Sequence, residues 1–120
     1  MNIKEILGLD LMFTVRARIE IGALAGHSMQ SFFDELAKGN EEKSINLEIS
    51  ALQIMHNAYL RHKALDEGKE FEPVEFNKED FLDLTNSEWN QIENLLVEVI
   101  KRDSDTEVQT TSKKKEESRN

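Results

Sequence analysis

Histidines and carboxylates are the side chains here best suited to chemistry, and their spacing decides what they can do. His62 and Asp66 stand four apart, which sets both on one face of a helix. Metals use that spacing, but a tetrahedral site needs a third protein ligand and no other residue nominates itself. An ion pair is the expected outcome, with no metal and no cofactor. His56 lies beside an apolar stripe, as a core-edge residue does, and His27 follows Gly26, where it would serve a turn. Ser28, His27 and Asp34 supply the residue types of a hydrolytic triad. Adjacent positions cannot give the geometry in which a base takes the nucleophile's proton. The five glycines are too scattered for a phosphate-cradling loop. Glu70, Glu72, Glu75, Asp80 and Asp83 form an acidic cluster without the close ligand spacing and central glycine of a calcium loop. Such a cluster is a solvated face able to dock a basic partner. No catalytic residue emerges, and the chain reads as a non-enzyme.

Composition narrows the classes further. The 120 residues carry 15 basic and 24 acidic side chains, a net charge of −9. Acidic residues are interspersed with basic ones from Lys4 to Arg102, so there is no basic stripe to displace counterions from a nucleic acid. Cysteine is absent, which removes disulfides, zinc–thiolate sites, iron–sulfur clusters and thiol nucleophiles. No apolar run approaches the roughly 20 residues that a membrane-spanning helix needs. The start, MNIKEILGLDLMF, lacks the cationic and apolar blocks of a secretory signal, so a cytoplasmic location without membrane contact is expected.

The elements that would position these side chains are helices with clear punctuation. Asn2 suits the cap of a short helix ending at Gly8. Leu9, Leu11, Phe13 and Val15 alternate, as in a short strand or an extended lead-in. Arg16 to Ala25 reads as a helix closed by Gly26 in a left-handed cap. Ser28 caps Met29 to Lys38, where Met29, Phe32, Phe33 and Leu36 recur at helical spacing and both phenylalanines are expected to be buried. Gly39 and Asn40 close that helix. A long central helix starts at Ser44 or Ile45 and runs to Glu67, with a broad stripe from Ile45, Ile49, Leu52, Met55 and Tyr59. Lys69 to Phe76 is a linker pinned by Phe71 and Phe76. Asn77 caps a short helix to Leu84, and Thr85, Asn86 and Ser87 offer a cap for a last helix to Arg102. The predicted fold is all-α: one compact domain of about five helices over residues 1–102. Residues 103–120 form a polar tail in which only Val108 is apolar; it is too poor in apolar surface to offset its ordering entropy and is expected to be disordered.

The order of elements from Phe13 to Arg102 resembles the tail assembly chaperones of long-tailed bacteriophages. It is carried by Ile19-Glu20-Ile21-Gly22-Ala23-Leu24-Ala25-Gly26, by Ser28-Met29-Gln30-Ser31-Phe32-Phe33-Asp34-Glu35-Leu36, by the long helix from Ile45 to Leu60 and by the closing helix from Ser87. Lys113, Lys114 and Lys115 add to it, because three lysine codons form a nucleotide run made almost wholly of adenine. In that family a programmed frameshift on such a run, near the end of the gene, yields a longer product. The resemblance implies a non-enzymatic chaperone in the host cytoplasm, absent from the mature virion. It would coat the tape-measure protein, help recruit tail-tube subunits and be able to form homo-oligomers. Trp89, Ile92, Leu96 and Val99 of the last helix, with Phe32 and Phe33, are the expected protein-binding residues, and a charge at Val99 would test them. A small helical adaptor that binds another protein through the same surface is the alternative.

Overall fold

The computed structural model describes the backbone of residues 1–119 and the side chains of residues 1–104. Six helices follow one another: α1 (Ile3–Leu7), α2 (Val15–Ala25), α3 (Met29–Ala37), α4 (Glu41–Glu67), α5 (Glu79–Leu82) and α6 (Asn86–Arg119). No strand occurs among the described residues, and the all-α class is the observed one.

Most helix starts follow from local hydrogen bonding. Asn2 and Glu5 exchange side-chain to backbone bonds in a capping box, at 2.9 and 2.8 Å. Thr14 and Ser28 cap α2 and α3 through the N–H groups of Ala17 and Ser31. Thr85 and Glu88 make a second capping box ahead of α6. The central helix begins earlier than its apolar stripe suggests. Asn40 accepts the N–H of Lys43, and Glu41 and Glu42 fill the first turn, where carboxylates suit the helix dipole. Asn40 therefore opens α4 instead of closing α3. Asn77 does not cap α5: its side chain accepts from Glu79 in a local turn, and α5 has no side-chain cap. Gly68 ends α4 in the left-handed conformation (φ 66°, ψ 30°). Gly26 departs from the expected left-handed cap, with φ 158° and ψ −107°.

α4 is the hub and packs against α2, α3 and α6, while α1 rests on α6. Ile6, Ile21, Phe32, Leu52, Met55 and Ile92 are fully enclosed in one shared core. Gly22 lies inside α2, where alanine would favour the helix, but a Cβ there would come within 2.8 Å of the Ser28 backbone. Its bare Cα lets the start of α3 fold back against α2.

Residues 9–14 form an extended lead-in without a strand partner. Its backbone is satisfied from two helices. Met12 N–H donates to the carbonyl of Met55 at 3.1 Å, and His56 Nδ1–H donates to the carbonyl of Asp10 at 2.8 Å. From α6, Arg102 Nη2 donates to the Leu11 carbonyl at 3.1 Å, and the Asp103 carboxylate accepts the Phe13 N–H at 2.7 Å. Burial pushes the Asp103 carboxyl up, but the Arg102 hydrogen bond, the Phe13 N–H and the Arg102 charge outweigh it and hold the group below the usual range. Asp103, one residue past the expected boundary at 102, is thus bonded to the lead-in. The rest of the expected disordered tail, with Val108 and Lys113–Lys115, has side chains outside the described residues.

The residue 69–78 linker is held in the same manner. Asn57 makes a two-way amide pair with the Val74 backbone, at 2.9 and 2.8 Å, and Gln53 accepts the Phe76 N–H at 2.6 Å. The Arg61 guanidinium stands 4.2 Å over the Phe71 ring. Both linker phenylalanines are anchored as the sequence suggested, Phe76 also stacking on His56.

Asp103→Ala is expected to destabilise the domain by about 1.5–3 kcal/mol, because it removes a charged acceptor from a partly buried N–H. Urea denaturation followed by far-UV circular dichroism measures this loss, and a change under about 0.5 kcal/mol refutes the tether.

Candidate functional site in the cleft between α4 and α6

The six expected binding residues do not converge on one surface. Ile92, Leu96 and Val99 are buried, because the apolar face of α6 is the one that closes the core. A charge at Val99 would disrupt packing and say nothing about a partner. Trp89 is half-buried at the core edge and meets Phe81 edge-on, with centroids 6.5 Å apart. Phe32 is enclosed, but Phe33 is 41% exposed, against the expectation that both rings are buried. The two rings still touch edge-to-face at 5.5 Å.

A different helix carries the unpartnered apolar surface. Val15 and Ile19 are 60% and 64% exposed, and Ala23 continues their four-residue spacing along one side of α2. Ala17 and Ile21 bury the opposite side, so α2 is apolar on both faces. That pattern was present in the sequence, although Val15 reads there as part of the extended segment.

The other candidates take the bland roles. His62 and Asp66 pair at 3.5 Å, and no group of three metal-capable side chains occurs among the described residues. His56 holds the lead-in. Ser28 caps α3, and Asp34 accepts from Gln30, so no nucleophile–base–acid relay forms. Within the acidic cluster Asp80 pairs with the N-terminal amine at 3.1 Å, and the glutamates are exposed.

Between α4, the α5 segment and the first turns of α6 lies a cleft of about 360 Å³. Glu41, Glu48 and Glu93 line it, with Phe81, Leu84 and Trp89 among its apolar walls. Glu48 is only 8% exposed, and its Oε1 has no hydrogen-bond partner among the described residues. Burial, with a hydrogen bond to Glu93 and the repulsion of that second carboxylate, pushes the Glu48 carboxyl up to about 8. At neutral pH the two carboxyls therefore hold a proton between them. Ser44 also lines the cleft, its hydroxyl donating to the Leu36 carbonyl at 3.4 Å, and no histidine is among the lining residues; the carboxyl pair can store a proton or receive a cation. The signal lay in register: Ile45, Glu48, Leu52 and Met55 fall on one helical stripe, with an acid where an apolar residue is due.

No protein-family model, curated protein or solved structure matches this chain. No helix among the described residues is long and apolar enough to cross a membrane.

Folding takes up a proton at Glu48 between its ordinary pKa of 4.5 and about 8. The stability it contributes is full below the lower value and is lost as pH rises through the upper one, on the order of a few kcal/mol in all. Glu48→Gln, a permanently neutral isostere, should flatten that decline and raise Tm at pH 8 by roughly 5 °C or more. Thermal melts at pH 5, 6.5 and 8 test this; parallel pH profiles for both proteins would exclude a neutral, buried Glu48.

Proposed function

We propose that this chain is a non-enzymatic tail assembly chaperone of a long-tailed bacteriophage, which shields the tape-measure protein and helps recruit tail-tube subunits. The observation that carries the reading is the exposed apolar stripe of α2, Val15, Ile19 and Ala23, on a compact acidic helical domain. A protein that coats a long helical client needs such a surface, and adjacent apolar side chains at helical spacing fit a groove between client helices. Phe33, exposed on the neighbouring α3, adds a second anchor. The resemblance over Phe13 to Arg102 and the lysine triplet support the same reading. Many weak apolar contacts, repeated over many copies, would give avidity while leaving each copy removable by tube subunits. The net charge of −9 keeps such a coat soluble and mutually repelling.

Co-expression with the tape-measure protein encoded by the same genome tests this. The chain should move that protein from the insoluble to the soluble fraction. The double variant Val15→Lys/Ile19→Lys should reduce the soluble yield by roughly tenfold, as expected when two interface anchors are lost. Its own stability should stay within about 0.5 kcal/mol, since both positions are exposed. Full rescue by the double variant would remove the α2 surface from the interface, and no rescue by the unaltered chain would remove the function.

A further inference from the structure

The cleft beside Glu48 combines carboxyls with aromatic walls. Three carboxyls line it, Glu41 and Glu48 from α4 and Glu93 from α6, and α5 contributes no charged group. No Lys, Arg or His side chain faces them from any wall. Of the nearby cations, Lys43 pairs with Glu35 at 2.9 Å and the N-terminal amine with Asp80, while Lys78 lies in the adjoining pocket on the Glu41 side. Glu48, one of the lining residues, is more than nine-tenths buried, and its Oε1 has no hydrogen-bond partner among the described residues. A buried carboxyl whose side-chain partner is a second carboxyl is costly, and a well-packed apolar residue would serve stability better.

The dimensions and walls select the ligand class. A volume of about 360 Å³ far exceeds one metal ion, and the three carboxyls are not grouped so that they could hold one. The indole of Trp89 and the ring of Phe81 offer aromatic surface beside the carboxyls. A planar guanidinium suits that combination, because it forms paired hydrogen bonds to carboxylates and stacks on aromatic faces.

We propose that the cleft receives an arginine side chain of a partner polypeptide, with its guanidinium at Glu48 and Glu93 and its aliphatic stem along Trp89. The polypeptide source rests on the protein-binding reading above, whereas the guanidinium specificity rests on the cleft alone. Entry of the guanidinium releases the proton that the two carboxyls share, so proton and ligand compete. Glu41, at the same cleft, adds to the attraction.

The probe is N-acetyl-arginine amide, titrated into the full chain and followed by the indole N–H resonance of Trp89, the single tryptophan. A saturable shift is expected, absent with the neutral citrulline derivative. The dissociation constant should rise roughly tenfold or more in Glu48→Gln and in Glu93→Gln. It should fall about threefold or more between pH 6 and pH 8. Equal shifts from the citrulline derivative, unchanged affinity in both variants, or saturation by magnesium chloride but not by the arginine derivative would each overturn the assignment. If the probe fails while the α2 double variant still loses the tape measure, the cleft assignment falls and the chaperone reading stands. If the probe binds as described while co-expression shows no rescue, the cleft keeps its specificity and the chaperone reading falls.

Discussion

Every non-helical backbone segment that touches the core must have its N–H and C=O groups satisfied, and α4 meets that demand on two sides. Its apolar stripe closes the core through Leu52 and Met55. Its polar positions act as surrogate backbone: His56 and the Met55 carbonyl hold the lead-in, while Gln53 and Asn57 hold the linker. Burying those segments without partners would cost about 1–3 kcal/mol per group. The domain therefore needs no sheet to package two extended stretches. A helix interior supplies the ladder, with Gln53, Asn57 and Arg61 at four-residue spacing playing the part of a neighbouring strand.

This division of labour explains which parts of the fold were legible in the sequence. Helices announced by a cap and an apolar period, such as α3 behind Ser28, could be placed to within a residue or two. The start of α4 could not, because Asn40 reads equally well as the last residue of one helix or the cap of the next, and its first turn of Glu41 and Glu42 lies ahead of the apolar stripe. The alternation of Leu9, Leu11, Phe13 and Val15 was real. It reflects an extended backbone, and its partner is a set of side chains distant in sequence, which a local pattern cannot reveal. Asp103 is the same case from the other end: among polar neighbours its role is set by Phe13, far away along the chain.

The site was less legible than the fold, and for a physical reason. Apolar richness in α6 marks what the domain buries, so Ile92, Leu96 and Val99 were the wrong residues for a surface. A working surface is better sought where apolar residues exceed what one buried face can use. α2 meets that condition, with Ala17 and Ile21 enclosed and Val15 and Ile19 left outside. Likewise, an acid on an apolar stripe says more than an acidic cluster in a linker. Glu70, Glu72 and Glu75 cost nothing in solvent, whereas Glu48 is held against its own solvation.

The placement of Glu48 also links stability to occupancy. The pair is tolerated at neutral pH because a shared proton cancels part of the repulsion across the α4–α6 seam. Raising the pH removes that proton and loads the seam with like charge in a partly dry environment, where Coulomb terms are large. A cation delivered from outside would replace the proton and restore the seam, so the same two carboxyls that weaken the lone domain would strengthen an occupied one. The acid pair and the apolar stripe of α2 then stand in contrast. The stripe costs little in the free chain and is satisfied by any complementary greasy surface. The cleft is satisfied only by positive charge of the right shape. On the proposed function, a protein that holds a client and later releases it gains from that separation, since adhesion and recognition are carried by different residues and can be lost one at a time.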